Sequence, residues 1–439
     1  TTDIINSLIA ASIASAFYRF YFEYTDEKSR NLVLSSSYLF MAGTGVFFVG
    51  LLCIGTPFMA RHILDSGGLD HYFLISICSM WFQMMNEIGM YYLRATRRSL
   101  LFNIISISRL VLAISLNILL IVFLHMGALG IFISTLVASI ITFFILNVPQ
   151  FFKVGFGFSP RIIREMLRFG LPMIPSELGA VIVRISDRFF IKHYCSIAET
   201  GLYSLGFRFG LLPGIFVSEP FNQVWQPRRL EVYKQPNAEE IFGKIFTYFL
   251  MLIAFAALFT AVLTREVLMV MAERPFWEAY RIVPIIVLAD VVFTFQYHFN
   301  MGFIIEKQTK YFAYINVSNA LLNLSMNFLL IPPYGAYGAA VATLVSFTYV
   351  AAMTYLLSRR FFRIHFEFMR LARIVLAAAA VFAAAQQIHH FSLYVNMLVK
   401  TLIILLFPLI LYLLGFFNQK ERELIYSFIH PEYASQKQE

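Results

Sequence analysis

Five arginines fall within stretches that are otherwise apolar: Arg19, Arg109, Arg184, Arg188 and Arg208. A guanidinium stays charged and presents paired N–H donors to phosphate or carboxylate oxygens, so the chemistry these residues offer is the holding of an anion. Glu177, Arg184 and Arg188 are spaced seven and four residues apart, which puts them on one face of a helix. A cationic cavity is one reading of this pattern. The other is structural: pairing with Glu177, Asp187 or Glu219, or snorkelling of Arg19 and Arg188 to an interface.

Two further polar groupings stand out. Asp290, with Gln296, His298 and Asn300 further along the same stretch, is a candidate coupling-ion site, and Glu177 is a second candidate carboxylate. One interhelical hydrogen bond would account for Asp290 equally well. Asn316, Asn319, Asn323 and Asn327 form a stripe at i, i+3, i+7 and i+11, a polar face suited to sugar hydroxyls or to gluing helices together.

Nothing in the chain reads as catalytic. It holds no Gly-rich phosphate loop, no HExxH and no Gly-x-Ser-x-Gly, so neither an enzyme nor a cofactor is expected. Cys53, Cys78 and Cys195 are far apart and lack CxxC spacing, which supports neither a metal site nor a disulfide framework. His389-His390 reads as a solvated pair at a helix end.

The elements that must position these residues follow from composition. Of 439 residues, 59% are hydrophobic and 13% charged, with a mean hydropathy of +0.72. A soluble core cannot absorb that much apolar surface, so the chain is an all-α integral membrane protein. Long apolar runs predict spans near 4–22, 33–55, 72–93, 102–124, 127–149, 169–193, 201–222, 245–270, 281–304, 310–331, 336–358, 370–391 and 394–416. Alternate loops then collect about 23 basic residues on one side against about six on the other, which assigns the first side to the cytoplasm. That bias accounts for the net charge of +9 without nucleic acid as a partner. The same parity puts the first visible residues outside and the tail 417–439 inside. A first helix preceding Thr1 is therefore expected, making fourteen spans with about thirteen visible.

An internal repeat organises the spans. Leu116-Asn117-Ile-Leu-Leu-Ile followed by Gly127-Ala-Leu-Gly130 matches Met326-Asn327-Phe-Leu-Leu-Ile followed by Gly335-Ala-Tyr-Gly338, a period of about 210 residues. Two pseudo-twofold-related six-helix bundles plus two C-terminal helices are expected, with a substrate path between the bundles. The divisions are 1–150 for the first bundle, 151–168 for a linker helix on the cytoplasmic surface, 169–358 for the second bundle and 359–416 for the accessory spans. Pro172, Pro175 and Pro213, the last flanked by Gly210 and Gly214, predict kinks that let one bundle rock against the other.

The opening of the second half carries a resemblance. Phe169-Gly-Leu-Pro172-Met-Ile-Pro175-Ser176, then Ile185-Ser-Asp187-Arg188-Phe-Phe-Ile191, then Thr200-Gly201-Leu-Tyr203-Ser204, resembles the polysaccharide (O-antigen repeat-unit) flippase branch of the multidrug/oligosaccharidyl-lipid/polysaccharide exporter superfamily. Phe17-Tyr-Arg19-Phe-Tyr-Phe-Glu23-Tyr is similar to the segment closing that family's second helix. The resemblance implies ion-coupled flipping of a lipid-linked glycan, carried on a polyprenyl pyrophosphate, across the bacterial cytoplasmic (inner) membrane by alternating access. It further implies H+ or Na+ as the coupling ion and polysaccharide polymerase machinery as a partner. In that setting the five arginines would line a cavity for the anionic substrate. A multidrug exporter of the same fold, or a non-transporting scaffold of a polysaccharide synthesis complex, are the competing readings.

Overall fold

The computed structural model describes residues 17, 20–24, 26–64, 70–96, 98–171, 174–306, 308, 310–388, 392–419 and 421–422. Among these, every regular element is helical. Among the described residues, nine helical stretches, one of them the two-armed Lys310–Ser358, are long and apolar enough to cross a membrane. The chain divides into two compact units, Thr1–Leu178 and Gly179–Glu439.

In the first unit, α1 (Glu27–Leu64), α2 (Asp70–Ala95), α3 (Ser99–Asn117) and α4 (Ala128–Val154) precede the short helix α5 (Pro160–Gly170). Val33, Leu34, Met41, Met80, Met84 and Ile88 make the dry core. A chain of buried amides crosses it: the Tyr38 hydroxyl donates to Asn147 Oδ1 (2.7 Å), Asn147 donates to Asn86 Oδ1 (2.7 Å), and Asn86 donates to the Ser139 carbonyl (2.9 Å). Every link joins two different helices, which is how polar side chains hold helices together where lipid supplies no hydrophobic drive.

Helix α5 starts as its sequence dictates. Ser159 caps it by accepting from the Ile162 N–H, and Pro160 occupies the first turn, where its missing N–H costs nothing. Ile162, Ile163 and Met166 are buried in the first unit's core while Arg161, Arg164 and Arg168 are exposed. The expected linker thus packs as part of the first unit, and the division falls at Leu178/Gly179, about ten residues beyond the expected end of the linker at 168.

The second unit holds α6 (Ile174–Tyr194), α7 (Ile197–Gly210), α8 (Glu219–Tyr233), α9 (Ala238–Met271), α10 (Val283–Thr294), the short α11 (Gln296–Phe299) and α12 (Met301–Ile305), then α13 (Lys310–Ser358), α14 (Phe368–Gln386), α15 (Leu393–Leu405) and α16 (Phe407–Leu413). The expected span 281–304 corresponds to the apolar stretch Val283–Ile305, interrupted at Phe295 and at Asn300, and Asn300 Oδ1 accepts from Arg229 (3.0 Å). The expected spans 310–331 and 336–358 are the two helical arms of α13, separated by the non-helical Gly335. Tyr349 bonds Ser318 (2.8 Å) and Asn323 bonds Ser346 (3.0 Å), so the two arms run antiparallel. The accessory helices are integral to this unit: Ile374, Val381, Ile404, Phe407 and Leu411 share one core with Phe249, Ile253 and Leu258 of α9.

The repeat is visible in backbone geometry. Gly127 (φ 57°, ψ −138°) and Gly335 (φ 54°, ψ −132°) adopt the same left-handed conformation, which glycine reaches without strain. Three residues on, Gly130 packs against Leu120 and Ile121, and Gly338 packs against Leu330 and Ile331, the repeat-equivalent residues.

Candidate functional site

The Asp187 carboxylate anchors the second unit's polar interior. Its Oδ2 accepts from the Tyr203 hydroxyl (2.6 Å) and the Thr343 hydroxyl (3.1 Å), and its Oδ1 accepts from Asn327 (2.7 Å). Asn323 accepts from Ser186 (2.8 Å) and donates to Ser346 (3.0 Å). This network ties α6, α7 and both arms of α13 together, and it absorbs Asn323 and Asn327 from the asparagine stripe. Asn319 is also buried, while Asn316 is half-buried.

That staple fixes how α6 and α7 present their arginines. Arg188 Nε donates to Ser204 Oγ (3.2 Å), its Nη1 donates to the Arg184 carbonyl (2.6 Å), and its guanidinium lies 4.9 Å from the centre of the Phe207 ring. Two residues connect α6 and α7, and side-chain hydrogen bonds join them at 187–203 and 188–204. Arg184 stands one turn before Arg188 on α6, and Arg208 follows Phe207 on α7. The Arg184 and Arg208 side chains are exposed on the unit. Among the described residues, the side chains of Arg184 and Arg208 make no ion pair or hydrogen bond, and Asp187 is engaged by neutral donors instead. Arg109, half-buried on α3 of the first unit, likewise has no acidic partner among the described residues. Arg19 and the side chain of Glu177 lie outside the described residues, as do His389 and His390.

Asp290 meets a break in a helix. Helix α7 ends at Gly210, a π turn spans Gly214–Ser218 directly after Pro213, and the Gly214 N–H donates to Asp290 Oδ2 (2.7 Å). Gly214 is required at this contact, since a Cβ there would press on the Asp290 carboxylate. His298 is not part of that site: it sits in an aromatic cage, 4.3 Å from the Phe249 ring centre and 5.4 Å from Phe246.

Two features escaped the sequence analysis. One is an apolar groove of about 950 Å³ formed by α9, α10, α13 and α14, with Leu250, Leu258, Leu288, Val291, Ile374 and Ala378 in its wall. The run Ala377 to Ala380 on α14 was its signal, because methyl side chains leave a trough between helices. The other is a buried ion pair, Lys400 Nζ to Glu266 Oε1 at 2.6 Å, that joins α15 to α9. Both charges were legible as ionisable residues inside expected spans.

Comparisons with known proteins are consistent with this architecture. A lipid II flippase, MurJ, in an inward closed conformation superposes with a TM-score of 0.75 at 17% identity, covering 96% of this chain and 90% of that chain. A multidrug resistance MATE family transporter of the MOP superfamily, inward-facing, gives 0.64 at 15% identity over 81% of this chain and 87% of that one. A MOP superfamily transporter from Pyrococcus furiosus, described as having a binding pocket of reversed polarity, gives 0.58 at 14% identity over 82% and 84%. These likenesses show the fold. No curated protein matches the chain in sequence. The family described as polysaccharide biosynthesis protein matches residues 23–281, more than half the chain. The chain therefore belongs to the polysaccharide biosynthesis protein family, on the all-α membrane fold of the multidrug/oligosaccharidyl-lipid/polysaccharide exporter superfamily.

Proposed function

We propose that the chain flips a lipid-linked oligosaccharide or polysaccharide repeat unit across the bacterial cytoplasmic membrane, in cell-surface polysaccharide biosynthesis. The observation that carries this is the set of arginines on α6 and α7: Arg184 and Arg208, exposed and without an acidic partner among the described residues, and Arg188, held by Ser204 and the Arg184 carbonyl. Charged groups on apolar helices are costly, by about 2.5–3.5 kcal/mol each on insertion scales, so they persist where an anion repays the cost. A pyrophosphate linked to a sugar is such an anion, and guanidinium is the cation whose geometry matches it. Arg109 and Arg19 are further candidates for the same substrate. The apolar groove supplies a surface for the hydrocarbon chain of the carrier.

Family membership supports the substrate class, and the fold supports movement by alternating access. The chain carries no nucleotide-binding motif, so an H+ or Na+ gradient or the membrane potential would drive the cycle, with Asp290 and Glu177 as candidate ion sites. An exporter of organic cations would need an acidic face in place of this one.

The test is complementation of a flippase-deficient bacterial strain with Arg184, Arg188 and Arg208 each replaced by Ala and by Lys. Surface glycan, accumulated lipid-linked precursor and membrane expression are read together. Ala at Arg184 or Arg208 should cause precursor to accumulate at normal expression, with Lys restoring part of the flux. Silent substitutions at all three positions would refute the anionic-substrate reading.

A further inference from the structure

The three indole N–H groups of the chain are not satisfied alike. Trp81 Nε1 donates to the Ala42 carbonyl (3.2 Å) and Trp277 Nε1 to the Ala272 carbonyl (2.9 Å), but Trp225, 5% exposed on α8, has an Nε1 with no partner among the described residues. It is one of a group. Asn222 Oδ1, Arg229 Nε, Gln296 Nε2 and His298 Nε2 are likewise buried without a partner among the described residues. All five atoms belong to α8 and α11, and a buried polar atom left alone costs its full desolvation.

The two elements present these atoms to one another. Asn222, Trp225 and Arg229 recur at i, i+3 and i+7, which is one face of α8. That face meets α11 at two points: the Phe221 and His298 ring centres are 5.5 Å apart, and Arg229 Nη1 donates to Asn300 Oδ1 (3.0 Å), next after α11. Aromatic rings wall it, with Phe242 5.1 Å from Trp225 and Phe249 4.3 Å from His298, centre to centre. The acids of α8 stand apart: Glu219 and Glu231 are exposed, and no carboxylate pairs with Arg229 among the described residues. Four of the five orphaned atoms are nitrogens. Indole, guanidinium and carboxamide nitrogens only donate, and a neutral imidazole donates in its Nε2–H form. Asn222 joins them by turning its amide, because the Ser218 hydroxyl it bonds (3.2 Å) serves as donor or acceptor. A surplus of donors around one cation, inside an apolar wall, is complementary to a small anion of single charge.

We propose that α8 and α11 hold a monovalent anion of halide size among Trp225, Arg229, Gln296 and His298. The anion supplies the counter-charge of Arg229 and ties α8 to the interrupted stretch Val283–Ile305. A divalent oxyanion would bring a second charge that nothing on this face balances. The inference concerns binding, and it stands whether or not the chain transports a glycan.

The full chain, carrying Trp81→Phe and Trp277→Phe so that Trp225 is its one indole, is purified in detergent. It is titrated with sodium bromide against sodium gluconate at constant ionic strength, and the emission of Trp225 is read. Bromide is a heavy-atom quencher, so bromide bound beside the indole should quench it with saturation; chloride should reverse the quenching and sulfate should not. Arg229→Gln should lower the bromide affinity at least tenfold, and Arg229→Lys, which keeps the charge, should lower it less. If Arg229→Gln loses thermostability, Gln296→Met, which keeps the length of the side chain and removes its amide, should still lower the affinity about threefold. The melting midpoint of the unsubstituted chain should also rise in chloride relative to gluconate, and the same rise should shrink in Gln296→Met. Quenching that grows linearly with bromide and never saturates, that sulfate reverses as well as chloride does, or that neither Arg229→Gln nor Gln296→Met weakens, overturns the proposal and leaves water as the partner of these atoms.

Discussion

Replacing Lys400 by methionine isolates the energetics of a buried charge pair. Lys400 and Glu266 are each 3% exposed, and their 2.6 Å bond joins an accessory helix to α9. At an effective dielectric constant of about 20, the Coulomb attraction at that separation is about 6 kcal/mol, comparable with the cost of desolvating both ions. The intact pair therefore contributes little net stability. Removing one partner is different, because it leaves a buried carboxylate without compensation, and Glu266 Oε2 already has no partner among the described residues. Lys400→Met should cost about 3–5 kcal/mol, and the double variant with Glu266→Gln should recover to within about 1 kcal/mol of the parent. For a unit of this size that corresponds to a drop of about 10 °C in the thermal midpoint of the single variant. The assay is thermal unfolding of the detergent-purified chain followed by tryptophan fluorescence, with Trp225 and Trp277 reporting the second unit. A single variant within about 2 °C of the parent, or a double variant as unstable as the single, would refute the reasoning.

Three further outcomes follow from the geometry. Asp290→Leu should lose about 1–3 kcal/mol by orphaning the Gly214 N–H, whereas Asp290→Asn keeps an acceptor and should melt like the parent; loss of glycan export in that stable Asn variant would mark an ion-coupling role, and intact export would exclude one. Gly127→Ala and Gly335→Ala should each cost about 1–3 kcal/mol of backbone strain, and Gly335→Ala should cost more, because its Cβ meets the Glu199 carboxylate while that of Gly127 meets nothing; equal melting losses would contradict this. Partial burial pushes the Glu421 carboxyl up, but the Tyr248 hydroxyl, the Asn418 N–H and Arg370 outweigh it, and the carboxyl lies below its ordinary value of 4.5. Its contribution is therefore present above that pH and lost as pH falls through the lowered value; melting curves of Glu421→Gln should lack that acid-side decline, and an unchanged decline would assign it to other groups.

Several features were legible because they depend on local pattern. The interleaved Ile162, Ile163 and Met166 with Arg161, Arg164 and Arg168 specified an amphipathic helix, and Ser159-Pro160 specified where it starts. Gly127 and Gly335 recur in equivalent sequence contexts, and the structure gives them one backbone conformation. The asparagine stripe was legible as a face, but its partners were not, since Ser186 and Asp187 lie about 140 positions away. In the same way, the groove needs four helices to exist, and an alanine run on one of them is silent until the others are placed.

Hydropathy and charge placement, which act through transfer of each residue from water to lipid, determined by themselves that this chain is an all-α membrane protein, and recurring motifs disclosed its repeat. Tertiary structure alone decided which charges are neutralised and which remain available. Lys400 and Glu266 cancel because packing brings α15 against α9, Asp187 is satisfied by hydroxyls and an amide, and Arg184 and Arg208 are left exposed with no acid beside them among the described residues. Whether a buried charge is paired depends on distances between helices remote in sequence, and residue type does not encode those distances.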